Sequence, residues 1–439
     1  MSRDLKRSAV EIFRKTLAAI DLRSAIARKV ERTGPLLRIG SFATNLNLYK
    51  EIVVVAMGKA AYGMADAITD ILAPEYPTDG ILVVPAGPVC QIARWKTFVG
   101  GHPTPNEGSF AAGKAILDRL ATCDEKTLII FLLSGGGSSL VEQPLDRAAT
   151  LEDFRTLNQV IVGCGAAIEE INVIRKHVSA IKGGRLAAAA PKSTKITLAV
   201  SDVPAGMESA LASGPTLPDP TTWADVQRVI QEYGLANKLP IRIRQTIDAC
   251  AFSETPKAGD PALLEAHFVL VLGPHDLMHA AHHACEAEGF QCVCDWSTDS
   301  WPLQRAADQL LGMVDQQKAS NPGHCVAVVA DGEVSSPVTG QGIGGRNSAF
   351  VLTCVPKIAD KKAAILSVGT DGIDGNSPAA GAVADGATFA AATDEGMDSA
   401  DFLRRSDAYS FFKALGDAIE TGPTGINVRD LRILLAEAD

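Results

Sequence analysis

Ser134-Gly135-Gly136-Gly137-Ser138-Ser139 is the stretch of this chain best suited to hold an anion. Three glycines in a row leave the backbone bare, and successive N–H groups of such a run form a concavity for phosphate or carboxylate. Ser134, Ser138 and Ser139 add hydroxyl donors. The run is not a Walker A sequence, because no Gly-Lys-Ser/Thr follows, and it is not Gly-x-Gly-x-x-Gly. A tight strand-to-helix turn without a ligand uses the same residues. A second glycine-rich run spans 340–345 and ends on Arg346-Asn347. The planar fork of Arg346 suits two-point capture of phosphate or carboxylate at an expected helix start. The plainer reading is an exposed loop with an incidental arginine. Lys59 stands beside Gly58 at the end of an apolar run, which would project a cation from the carboxyl end of a strand. Taken alone, a lysine there reads as solvated surface.

Asp202, Asp331, Asp371 and Asp374 fall on expected strand-end loops. They could hold Mg²⁺ through one or two carboxylates, or accept a hydroxyl proton. Aspartates in turns also simply satisfy local N–H groups. His275, His279 and His282 share one helical face, but no His-Glu-x-x-His accompanies them. Glycine cradles, cations and acids together are what phosphoryl transfer needs. A non-catalytic binder of an anionic metabolite would use the same set.

The elements that must carry these residues follow from periodicity. Val10, Phe13, Leu17 and Ile20 predict a helix within about 3–33, closed by Gly34-Pro35. Apolar runs at 51–57, 80–84, 96–99, 127–133, 195–200, 267–272, 290–294, 325–329 and 364–368 predict strands, with helical patterns between them. Ile171, Ile174, Val178 and Ile181 form one apolar stripe, flanked by Arg175, Ser179 and Lys182 and stopped by Gly183-Gly184. Strands alternating with helices imply α/β domains with mainly parallel sheets. At 439 residues the chain is too long for one ordinary core. The polar stretch 251–261, with two prolines, divides it into domains at 1–250, doubly wound and Rossmann-like, and 262–439. Ligands of such sheets sit beyond the carboxyl ends of strands, which predicts one cleft between the domains lined by the loops named above.

A net charge of −10 gives no electrostatic reason to expect nucleic acid or acidic membranes. No apolar run reaches the ~18 residues of a membrane span, and the amphipathic N-terminus lacks a signal core. Nine cysteines without Cys-x-x-Cys pairs fit reduced thiols in a cytoplasmic protein.

The chain resembles the glycerate 2-kinase family, the type-2 glycerate kinases with a C-terminal MOFRL domain. The matching motifs are Met57-Gly-Lys-Ala60, Gly101-His-Pro-Thr-Pro105, Leu133-Ser-Gly-Gly-Gly-Ser-Ser139, Ile171-Asn-Val-Ile-Arg-Lys-His-Val-Ser179 with Lys182-Gly-Gly184, and Ser201-Asp-Val203. Further on come Ala212-Ser-Gly-Pro-Thr216 with Pro218-Asp-Pro-Thr-Thr222, Gly344-Gly-Arg-Asn347 and Gly369-Thr-Asp-Gly-Ile-Asp-Gly375. The resemblance implies transfer from ATP, with Mg²⁺, to the 2-hydroxyl of D-glycerate or a related small sugar acid. It implies a small anionic hydroxy acid as partner, with neither nucleic acid nor membrane, and leaves a homodimer open. It maps the catalytic cation roles onto Lys59 and Arg346. In that frame Ser134, Gly135, Gly136, Gly137, Ser138, Ser139, Arg175, Lys182 and Asn347 serve substrate or phosphate, and Asp202, Asp371 and Asp374 serve the metal or the hydroxyl. Some relatives carry the label hydroxypyruvate reductase, but no dinucleotide fingerprint is present here. Three positions depart from the family pattern by lacking an acid: Pro204-Ala205-Gly206-Met207, Ala349 and Pro378. These departures predict altered Mg²⁺ or substrate contacts and weak or no activity on D-glycerate. They keep open a diverged member that binds or otherwise transforms a sugar acid without kinase activity.

Overall fold

The computed structural model describes residues 3–87 and 91–438. Two α/β units emerge, one formed by 22–271 and the other by 1–21 with 272–439.

In the first unit, three short strands, β1 (Val30–Thr33), β2 (Leu36–Ile39) and β3 (Phe42–Asn45), form a small antiparallel sheet. The main sheet comprises β4 (Glu51–Met57), β5 (Thr78–Val84), β6 (Trp95–Val99), β7 (Thr127–Ser134), β8 (Thr194–Val200) and β9 (Ala266–Leu272). Its spatial order is β6-β5-β4-β7-β8-β9. The pairings β6–β5, β5–β4, β4–β7 and β7–β8 are parallel. Every residue of β7 is buried, as expected of a strand covered on both faces. Ile129, Phe131 and Leu133 pack on one side with Ile116 and Leu120 of the crossover helix Glu107–Leu120.

The second unit holds β10 (Gln291–Asp295), β11 (Val326–Asp331), β12 (Ala363–Gly369), β13 (Gly381–Asp385), β14 (Ala418–Ile419) and β15 (Asp430–Ala436), in the order β10-β11-β15-β12-β13-β14. Only β10–β11 is a parallel pair here; β15 inserts antiparallel between β11 and β12. Phe350, Phe411, Phe412, Val328, Ile365 and Leu434 fill the core beneath it.

The division differs from the boundary expected at 251–261. The strand β9 completes the first sheet, so the first unit runs on to Val271. The helix Leu5–Ala19 belongs to the second unit, where it packs on β12, β13, β15 and the helix Pro274–Ala287. Its buried stripe of Leu5, Ala9, Ile12, Phe13 and Thr16 looks the same in sequence whichever unit covers it. The single helix expected at 3–33 is instead two, Leu5–Ala19 and Leu22–Lys29, followed by β1.

Candidate active site

In the first unit, the chain leaves β4 toward β5 and β6 on one side, and leaves β7 toward β8 and β9 on the other. The carboxyl ends of β4 and β7 therefore flank the point where strand order reverses, which is where an open parallel sheet admits a ligand. Gly58-Lys59 follows β4, and the Ser134–Gly137 turn follows β7. The Lys59 N–H donates to the Gly135 carbonyl (2.9 Å), and the Ala60 N–H donates to Ser134 Oγ (3.0 Å). A Cβ on Gly58, whose φ is +127°, would stand 2.1 Å from Ser134 Oγ, so only glycine lets these turns lie so close. At Gly136 (φ +84°) a Cβ would sit 3.0 Å from His102 Cδ2 and 3.6 Å from Lys59 Cγ. Bare backbone, imidazole and lysine stem thus meet at the switch point.

Beside this turn lies a cavity of about 190 Å³. Gly136, Ser138, Ser139 and His102 line one part of it, and Arg175 and Lys182 supply cations. Lys182 is ion-paired with Glu142, which also accepts from Ser179 Oγ (2.5 Å). Burial lowers the Lys182 pKa, and the Glu142 carboxylate opposes that fall. Arg175 donates from Nε (3.3 Å) and Nη2 (3.2 Å) to Asn158 Oδ1. The helix Ile168–Val178 presents Arg175, and its apolar stripe of Ile171, Ile174 and Val178 fixes which face turns inward.

In the second unit, Arg346 opens the helix Arg346–Cys354. Its Nε donates to Asp430 Oδ2 (2.5 Å), and Nη2 reaches Asp430 Oδ1 (3.3 Å) and Glu333 Oε1 (2.8 Å). Burial works against the Arg346 charge, but the Asp430 carboxylate outweighs it and the pKa is raised. Arg429 pairs with Asp331 (2.8 Å) and Asp299. Fully buried Arg432 donates to the carbonyls of Gly332 (2.8 Å) and Asp331 (2.5 Å). Burial pushes the Asp331 carboxyl up, despite the pull of Arg429.

Several residues named from sequence take structural positions instead. Ser134 is fully buried and its hydroxyl holds the Ala60 N–H, so it fixes the turn rather than meeting a ligand. Gly135 and Gly137 are buried as well; Gly136, Ser138 and Ser139 are the residues of the run that open to the cavity. Asn347 is 1% exposed and accepts from Ser367 Oγ (2.6 Å), tying its helix to β12. Asp374 is also 1% exposed. It accepts from the N–H groups of Gly345 (3.1 Å), Asn347 (2.9 Å) and Ser348 (2.9 Å), and from Ser348 Oγ (2.6 Å). Four donors occupy its oxygens, so Asp374 caps the Arg346 helix rather than holding a metal. Asp202 and Asp371 are half-buried at the ends of β8 and β12, and Asp371 accepts the Ile373 N–H (3.0 Å). Among the described residues no group of three His, Cys, Asp or Glu is arranged to hold a metal. His275 instead packs on Trp296, and His282 lies near Cys294 and Glu286.

Two of the acid-lacking positions have a local explanation. Ala349 is 8% exposed and lies in the apolar core of its unit, where a longer acid would have no solvent. One residue beyond Met207, Glu208 accepts the Gly206 N–H (3.0 Å), so that loop keeps a carboxylate. Sequence reading missed Glu142, Asn158 and Asp430, and took Glu333 only as part of the strand-end loop Asp331-Gly332-Glu333. A charged residue opening the stretch 431–436, apolar but for Arg432, was the signal for Asp430; Glu142 and Asn158 carry no local pattern.

Comparison with known proteins matches residues 8–248 to a domain of unknown function, DUF4147, and residues 326–430 to the MOFRL family. A Pyrococcus horikoshii protein named glycerate 2-kinase is 34% identical over 88% of this chain and 87% of its own length. An Agrobacterium vitis relative that carries the name hydroxypyruvate reductase is 36% identical over 87% of this chain and 86% of its own. The crystal structure of a glycerate kinase from Thermotoga maritima superposes with a TM-score of 0.82 at 30% identity, covering 98% of this chain and 99% of that one. The chain therefore belongs to the glycerate 2-kinase family, as a DUF4147 region followed by a MOFRL region.

Proposed function

We propose that the chain transfers the γ-phosphoryl group of ATP to the 2-hydroxyl of D-glycerate or a related small hydroxy acid. The observation that carries this reading is the pair of turns at the strand-order reversal, where Lys59 lies against the bare backbone of Gly136. The Lys59 ammonium and the Gly136–Ser139 turn meet anionic charge on the reactants. Arg346, aimed by Asp430 and Glu333, stabilises the group in transit. As the 2-oxygen bonds to phosphorus, the bond to ADP breaks and the hydroxyl proton leaves. Bound Mg²⁺ would neutralise phosphate charge in such a transfer, and one or two protein carboxylates suffice to hold it. Asp202 and Asp371 fit that role or take the proton, whereas Asp374 is committed to its cap. No helix among the described residues is long and apolar enough to cross a membrane, and a cytoplasmic setting goes with this reading.

The lack of an acid at Pro378, the departure without such a local explanation, favours a second reading, a member that binds an anionic acid without transferring phosphate. Acid-dependent ADP release over a panel of small hydroxy acids separates the two. The kinase reading requires turnover with at least one acid, and binding without turnover supports the other.

A further inference from the structure

The cavity beside the glycine turn has a specific charge balance. Glu142 neutralises Lys182 by direct pairing, which leaves the Arg175 charge for a ligand. Arg175 spends Nε and Nη2 on the neutral Asn158 amide, and its Nη1 has no protein hydrogen bond among the described residues. One uncompensated, partly desolvated guanidinium suits a monoanion such as a carboxylate, and suits the heavier charge of a triphosphate poorly.

The hydroxyl direction of Ser138, which lines the cavity, follows from its buried neighbours. Ser213 Oγ donates to Asn172 Oδ1 (2.9 Å), so its proton is committed. Ser138 Oγ lies 2.8 Å from Ser213 Oγ and must therefore be the donor of that pair. This leaves the lone pairs of Ser138 as acceptors toward the cavity. Ser213 is held there by a left-handed run, Ala212 (φ 49°), Ser213 (φ 61°) and Gly214 (φ 61°), a costly backbone that persists only where its surroundings impose it.

We propose that this cavity is the acid subsite, in which Arg175 takes the substrate carboxylate and Ser138 accepts a hydrogen bond from a substrate hydroxyl. The proposal rests on the kinase reading for the identity of the acid, but not for its geometry. Phe154, Leu157 and Val178 supply an apolar wall. The cavity of about 190 Å³ is roomy enough for a small hydroxy acid. A four-carbon 2-hydroxy acid is therefore tested beside D-glycerate.

The test is calorimetric titration of D-glycerate and D-erythronate into the full chain without nucleotide, alongside steady-state KM values for acid and for ATP. Arg175→Ala is expected to weaken acid binding about a hundredfold, as for loss of a charged hydrogen-bond partner, while the ATP KM stays within about twofold. Arg175→Lys should restore part of the loss. Ser138→Ala should cost about fivefold to tenfold in acid affinity. Because it removes one oxygen from a half-buried side chain, it carries the test if Arg175→Ala melts early. Unchanged acid affinity in both folded variants overturns the proposal. So does a raised ATP KM with unchanged acid affinity, which would make the cavity a nucleotide site, or a wild-type chain that binds neither acid. Acid binding that depends on Arg175 without any ADP release would leave the subsite standing and remove the kinase reading.

Discussion

Arg346 is held in a clamp of its own neighbours. Two carboxylates hold its fork, one of them, Asp430, almost wholly buried. The clamp orients the guanidinium in advance, so little of its freedom remains to be lost during reaction. Arg346→Ala and Lys59→Ala are each expected to cut kcat at least a hundredfold, on the order of the ~3 kcal/mol lost with one transition-state donor. Arg346→Lys should stay close to the alanine variant, because an ammonium cannot satisfy Asp430 and Glu333 together and still present a planar face. Asp430→Asn keeps the cation but loosens its aim, and should lower kcat about tenfold with the acid KM unchanged. Steady-state kinetics on folded variants checks all four. Lys59 and Arg346 stand out in the sequence because Gly58 adjoins the one and the glycine-rich stretch 340–345 the other. Asp430 was not, since it lies 84 residues from Arg346 along the chain.

At the scale of elements, the site depends on how closely turns and helices approach. Gly58→Ala would place a methyl group 2.1 Å from Ser134 Oγ at a φ that alanine resists. The β4 and β7 turns must then separate, and both activity and melting temperature should fall. The helix that carries Arg175 is anchored one residue on, where Lys176 pairs with Asp219 (3.2 Å). Asp219 also accepts from Thr221 (2.8 Å) and Thr255 (2.9 Å). Burial pushes the Asp219 carboxyl up, but Lys176 and the two hydroxyls outweigh it and hold the pKa below its usual value. A depressed folded pKa stabilises the fold above the ordinary carboxylate range, and that stability is lost as pH falls through the folded value. Asp219→Asn should therefore cost about 3 kcal/mol at neutral pH. Its melting-temperature gap from wild type should narrow below about pH 4. The parallel sheet of the first unit was legible because apolar runs alternate with helices. The antiparallel β15 was not, because Asp430 and Arg432 interrupt its apolar pattern although the whole strand is buried.

At the scale of the molecule, the first helix of the chain belongs to the unit made mostly from its second half. Deleting residues 1–21 would strip Ile12 and Phe13, both essentially unexposed, from the core of that unit. At about 1.5–3 kcal/mol for each such side chain, the unit formed by 272–439 should lose most of its stability while the other persists. Limited proteolysis should then leave a resistant fragment near 22–271, and equal loss of both units would contradict the division. Sequence alone could not show this, because one amphipathic stripe fits either core. The most direct measurement is ADP release with Mg²⁺-ATP in the presence of D-glycerate or D-erythronate, with the product examined by phosphorus NMR. The account predicts acid-dependent ADP release with phosphate on the 2-oxygen, abolished in Lys59→Ala. A folded chain that binds one of these acids yet releases no ADP with either would contradict it.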